Sequence, residues 1–214
     1  MIKLYGHPFA SFAWKVLIAA YERQVLFEFC MVDPDHPENQ ARMKALSPTG
    51  QFPALVDGDV EVTQSNAIIE YLDHVGNAPR LIPSDPKAAL QARMLCDVFD
   101  AYIHHPMQRI VAESLRAEGQ QDPRRPAEAR VELDKAYAWL STRVSDAFAA
   151  GKTMTIADCA AAPALFYADW VHPIPDGPLK DYRARILAHR SVARVVDEAR
   201  PFRGFFPLGA PDRD

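Results

Sequence analysis

"TGQFPALVDGDVEVTQSNAII", residues 49–69, sets a proline among residues that otherwise suit a strand. Phe52, Ala54, Leu55 and Val56 are strand-like, but Pro53 has no N–H to donate. In a central strand it would remove a ladder hydrogen bond. The proline therefore marks either a plain loop before the strand or a backbone kept out of the sheet for another use. Asp57-Gly58 predicts the turn of a hairpin. "SNAIIEYLDHVG" then predicts a helix that Gly76 can end.

Working outward, "IKLY" (residues 2–5) predicts a short strand closed by the turn signal "GHP". Phe12, Val16, Leu17 and Ala20 recur at helical spacing up to about Arg23. "VLFEFCMVD" alternates as a second strand, and "NQARMKALSP" is a short helix stopped by Pro48. The order β-α-β-α-β-β-α makes residues 1–76 an α/β unit. Residues 77–86, "NAPRLIPSDP", hold three prolines in ten and read as a linker, with Pro86 suited to a helix N1 position. Residues 87–214 read as helical throughout, with helices over 87–118 and 126–149, one from near 155, and others through 180–200. Pro106, in "YIHHPMQ", predicts a kink. His104 and His105 are adjacent and so point in different directions on a helix. They read as packed or exposed residues and not as metal ligands. The tail "GAPDRD" reads as frayed.

Composition narrows the function. Of 214 residues, 49% are hydrophobic and 24% charged, which suits a soluble domain with a full core. A formal charge of −4 gives no case for nucleic acid or for an anionic membrane surface. No apolar run approaches the roughly 20 residues of a membrane span, and "MIKLYGHPFA" reads as a strand start, not a signal peptide. Cys30, Cys96 and Cys159 are few, odd in number and widely spaced. That fits reduced, buried thiols of a cytoplasmic protein better than disulfides or a metal site.

A small α/β unit followed by an all-helical one, with "SPTGQFPALVDGD", "TQSNAIIEYLD" and "GKTMTIADCAAAPAL" in this order, resembles the cytosolic glutathione transferase family. The resemblance spans essentially the whole chain. It implies a thioredoxin-like domain that binds glutathione, then a helical domain supplying most of a second-substrate pocket, no metal, a homodimer and a role in detoxification. It further implies a cis bond before Pro53, leaving the N–H and C=O of Phe52 to pair with the cysteinyl unit of glutathione as a short ladder; the alternative is a trans-proline loop. Gln64 and Ser65 match the positions that hold the γ-glutamyl group, though the family commonly has an acid where this chain has Gln64. Ser65 alone could also act as a simple N-cap. Gln51 is placed to reach the glycyl carboxylate. In the third segment, Thr155 and Asp158 predict a capping box, a structural device.

The implied chemistry is activation of glutathione's thiol for attack on a small apolar electrophile. Serine-type members donate a hydroxyl hydrogen bond to the sulfur. Their usual serine falls here on Ala10, so the nearby hydroxyl is Ser11, which also suits the N-cap of the helix from Phe12. Tyr5, on the first strand, reads as core. Phe12, Tyr102, Tyr167 and Trp170 are candidate pocket aromatics, although core packing explains helical aromatics equally well. "ASFAWKVLIA" resembles in part the family's zeta-like isomerases. A glutathione-dependent isomerase or peroxidase, or a non-catalytic glutathione-binding or regulatory protein, therefore stands beside the transferase reading.

Overall fold

The computed structural model describes residues 1–77, 79–144 and 147–214. Four strands form the sheet: β1 (Ile2–Gly6), β2 (Phe27–Met31), β3 (Ala54–Asp57) and β4 (Val60–Thr63), in the order β2-β1-β3-β4. β1 runs parallel to β2 and antiparallel to β3, and β3 and β4 form the hairpin. Between them lie α1 (Ser11–Glu22), α2 (Pro37–Leu46) and α3 (Ser65–Val75). This is the thioredoxin-like sheet with helices that the resemblance implied.

Several local features differ from expectation. The hairpin turns on Gly58-Asp59, because Asp57 still pairs with Val60. Gly58 takes φ 62 at the first turn position, where a side chain would be strained. Gly76 ends α3, but at φ −83 and not in the left-handed region. A Cβ there would lie 2.7 Å from the Cβ of Arg23 and 2.9 Å from its carbonyl oxygen. Close approach, not backbone hand, is what requires this glycine.

The second half is helical: α4 (Pro86–Val98), α5 (His105–Ser114), α6 (Arg124–Ser141), α7 (Ile156–Val171), α8 (Pro178–Leu187) and α9 (Arg190–Ala199), then a 3-10 turn over Arg200–Phe205. The disturbance expected at Pro106 is a π-helical turn, Phe99–His104, joining α4 to α5 without a break. A widened turn tolerates the missing N–H and the ring of a proline just beyond it. The predicted helix over 126–149 stops at Ser141; Ser145 and Asp146 lie outside the described residues.

Residues of the expected linker are tied to both halves. Asp73 accepts the N–H groups of Leu81 (2.9 Å) and Ile82 (2.8 Å), and Leu81's carbonyl accepts from Ile156 (2.9 Å). Ala78 lies outside the described residues. The capping box at Thr155 and Asp158 is present, and Asp158 also takes the Ala149 N–H and the Tyr182 hydroxyl. The tail is docked, not frayed. Arg213 pairs with Asp169, a fully buried carboxylate also faced by Arg183, and Asp214 pairs with Arg200 and Arg203. A buried carboxylate needs such cations. All three cysteines are free and buried. No described helix is long and apolar enough to cross a membrane.

Candidate active site

The loop between β1 and α1 is fastened residue by residue. The Ala10 N–H bonds the His7 carbonyl at 3.0 Å, and the Trp14 indole N–H bonds the Pro8 carbonyl at 2.6 Å. Tyr167 on α7 gives its hydroxyl proton to the Phe9 carbonyl at 2.8 Å. The first α1 bond runs from the Trp14 N–H to the Ala10 carbonyl. The N–H groups of Ser11, Phe12 and Ala13 therefore have no acceptor within the helix, and the positive end of α1 sits beside Ala10 and Ser11.

That helix end opens into a cavity of about 660 Å³. Residues 9–12 form one wall and residues 50–52 another; His104, His105, Met107, Gln108 and Val111, with Tyr167 and residues 205–207, complete it. Among the described residues, no Lys, Arg, Asp or Glu lines this cavity. Groups of three or more His, Cys, Asp or Glu suited to a metal are also absent among them.

Ser11 is the first residue of α1; the N-cap is Ala10, so Ser11 is not the cap that its position suggested. Its hydroxyl lies 2.5 Å from Nε2 of His104, at the end of the π-helical turn. Burial pushes the His104 imidazole down to about 3, with His105 and Lys15 adding to the effect. One turn further, Lys15 Nζ meets Asp100 Oδ2 at 2.5 Å and Asn66 Oδ1 at 2.7 Å. The two contacts are successive rungs between antiparallel helical segments. Ser11 and Lys15, four apart on α1, share one face of that helix and meet His104 and Asp100 in order.

The Phe52–Pro53 bond is cis. Strand pairing begins only at Ala54, and among the described residues neither the N–H nor the C=O of Phe52 has a backbone partner. Gln51 is exposed beside it, its amide oxygen accepting from the Thr49 hydroxyl at 3.3 Å. The ladder ends where Ala54 pairs with Thr63, and Gln64 follows directly on the chain. Gln64 is the N-cap of α3 at φ 71 and ψ 120, a left-handed backbone that costs a non-glycine residue about 1–3 kcal/mol and collects at functional sites. Ser65 is the first helical residue, not the cap; the residue is 7% exposed, and its hydroxyl makes no cap hydrogen bond.

Phe12 and Tyr167 line the cavity. Tyr102 does not: it is 61% exposed and faces a separate cleft beside Trp139. Trp170 stands behind the wall, against Tyr167 and Phe206. Tyr5 is buried with Cys30, Met43 and Ala54, as a core residue. His104 is the residue that sequence reasoning missed. The signal was the i, i+4 spacing of Asp100 and His104 matching that of Ser11 and Lys15, which only the helix pairing makes meaningful.

Residues 1–74 match the glutathione S-transferase N-terminal domain model and residues 111–189 its C-terminal domain model. A probable maleylacetoacetate isomerase of Caenorhabditis elegans is 30% identical over 169 residues, 78% of this chain and 78% of that protein. A glutathione S-transferase of Silene vulgaris is 29% identical over 177 residues, 78% of this chain and 81% of that one. Among solved structures, a glutathione S-transferase from Methylobacillus flagellatus KT, with GSH bound, matches at TM-score 0.79. It is 24% identical, and the match covers 91% of this chain and 98% of that one.

Proposed function

The chain belongs to the glutathione S-transferase family, and from that premise we propose that it transfers glutathione to a small, uncharged, largely apolar electrophile. The observation that carries this reading is one cavity holding the Ser11 hydroxyl, the open N–H groups of α1 and the unpaired backbone edge of Phe52. Glutathione's cysteinyl backbone pairs with Phe52. Ser65 and the first N–H groups of α3 hold the γ-glutamyl carboxylate, Gln64 contacts the same group, and Gln51 reaches the glycyl end. This sets the sulfur at the start of α1.

There the sulfur meets dipoles and not a formal charge. A thiol with pKa near 8.5 is only about 3% thiolate at pH 7. Lowering that value to about 6.5 makes roughly three quarters of it thiolate, a gain of about 25-fold, partly offset by weaker intrinsic nucleophilicity. The Ser11 hydroxyl and the helix end supply the shift. Phe9, Phe12, Met107 and Tyr167 bury an apolar co-substrate against the sulfur, which attacks the electrophilic carbon and takes over its bond to the leaving group.

The likeness to a probable isomerase supports a second reading, isomerisation with glutathione returned unchanged. The side chains beside the proposed sulfur position, Phe9, Phe12, Met107 and Tyr167, are largely apolar, which favours the uncharged electrophile. Retention on immobilised glutathione, followed by turnover of an aryl halide that Ser11→Ala reduces at least tenfold, is the expected result. Retention with no turnover of any electrophile would point to a binding protein, and loss of retention would remove the whole assignment. The same reading includes a homodimer, which light scattering at micromolar concentration checks as twice the chain mass.

A further inference from the structure

The contact between Ser11 and His104 can run in two directions with opposite chemical consequences. If the Ser11 hydroxyl donates to a bare Nε2, only its lone pairs remain for a sulfur in the cavity. It would then accept from a thiol and repel a thiolate. If Nε2–H donates to Ser11, the serine proton is free to point at the sulfur and stabilise the thiolate.

The unpartnered end of the ring decides between them. His104 is 3% exposed, and its Nδ1 is buried with no hydrogen-bond partner among the described residues. The groups perturbing the ring are its neighbour His105 and, from α1, Lys15. With Asp100 held by Lys15, no carboxylate among the described residues bonds the ring. The ring is neutral at working pH, so one nitrogen carries the proton. A proton on Nδ1 would leave a buried N–H donor with no acceptor, which folded proteins rarely tolerate. A bare Nδ1 leaves only an unfilled lone pair, the lesser cost. Gln108, whose amide nitrogen is 3.4 Å from Nε2, does not alter this, because its amide can be turned to present either donor or acceptor.

We propose that His104 is a positioning residue whose Nε2–H fixes the Ser11 hydroxyl so that its proton faces the glutathione sulfur. The inference rests on the assignment of Ser11 under the proposed transferase function. The packing serves this purpose: the imidazole lies 4.4 Å from the Phe12 ring, centroid to centroid, and the Lys15–Asp100 rung fixes its height along α1.

The test has two arms. In the ligand-free wild-type protein, ¹⁵N NMR of the His104 ring should show protonated Nε2 and bare Nδ1, unchanged from pH 5 to 9. The opposite tautomer would overturn the inference while leaving the transferase reading intact. In the second arm, thiolate absorbance of bound glutathione is followed against pH for His104→Phe, which keeps an aromatic ring but has no donor. The bound thiol should titrate about one unit higher, leaving about tenfold less thiolate below its pKa. His104→Gln, which keeps an N–H donor, should recover part of the shift. Added to Ser11→Ala, His104→Phe should change nothing further. An unmoved thiol pKa in His104→Phe, or an equal effect with Ser11 absent, refutes the positioning role. Failure of the wild type to bind glutathione would instead refute the transferase reading, and the tautomer measurement would still stand.

Discussion

Replacing Asp100 by alanine removes the counter-charge of a lysine whose side chain is 1% exposed, whereas Asp100 itself is 17% exposed. At 2.5 Å the gross attraction is about 7 kcal/mol for an effective dielectric near 20. Desolvating the two ions consumes most of it, so the pair as such contributes little net stability. Breaking it is another matter. Asp100→Ala leaves Lys15 Nζ with the Asn66 amide oxygen at 2.7 Å and the Cys96 sulfur at 3.8 Å, neither of them charged. The expected cost is about 3–5 kcal/mol. Lys15→Met strands a carboxylate that water can reach, and should cost about 1–3 kcal/mol. The double variant Lys15→Met, Asp100→Leu should return to within about 1 kcal/mol of wild type or exceed it. Thermal unfolding at fixed protein concentration reads this as a fall of about 6–20 °C for Asp100→Ala and recovery in the double variant. Equal costs for the two single variants, or a double variant as unstable as their sum, would refute the reasoning. Because the same rung sets the height of His104 beside Ser11, the thiol pKa of bound glutathione should rise in Asp100→Ala protein that remains folded.

Ser65→Ala should weaken glutathione binding by about 1.5–3 kcal/mol, roughly 10- to 150-fold by calorimetry; Gln64→Glu should tighten it by returning an acid near the ligand ammonium. Asp158→Ala orphans the N–H groups of Ala149 and Thr155 and the Tyr182 hydroxyl. It should cost about 3–5 kcal/mol in urea unfolding, with glutathione affinity of the folded fraction unchanged. His104 titrates at about 3 when folded, against 6.5 unfolded. The unfolded chain therefore binds the extra proton between those values, so stability falls as pH drops from about 6.5 towards 3. His104→Phe should flatten that limb by up to about 4 kcal/mol, measured as unfolding free energy against pH.

The hairpin, the alternation of helix and strand, and the capping box were legible because each depends on local chemistry. Pro53 before the "ALVD" strand, Thr155 three residues before Asp158, and Pro86 opening α4 say the same thing in any fold. Gly76 was legible as a helix end but for the wrong reason, since the approach of Arg23 is a tertiary fact. Ser11 and Ser65 both resembled caps and are both first helical residues. A shift of one position decides whether a hydroxyl serves its own backbone or is left for another partner, and propensity does not resolve one position. His104 lay beyond local reading altogether. Its meaning depends on a contact across 93 positions and on a π-helical turn.

Among the described residues, no Lys, Arg, Asp or Glu lines the cavity beside α1, and that arrangement fits the chemistry proposed for it. Lys15 lies one turn behind Ser11 but is spent on Asp100, and Asp169 is matched by Arg183 and Arg213. What remains at the position proposed for the sulfur is a helix end, a hydroxyl and an imidazole. A lysine there would stabilise a thiolate more strongly, but it would also lower its nucleophilicity as the pKa fell and recruit anionic ligands in place of apolar ones. Dipoles fixed by the Pro8, Phe9 and Ala10 carbonyl bonds hold their direction without a counter-ion. In the proposed transfer, the electrophile would meet a sulfur that is ionised yet still reactive, between walls that select it by shape and apolar area. On this view the fastened loop and the two polar rungs serve one end: they hold weak dipoles in place so that no formal charge is needed.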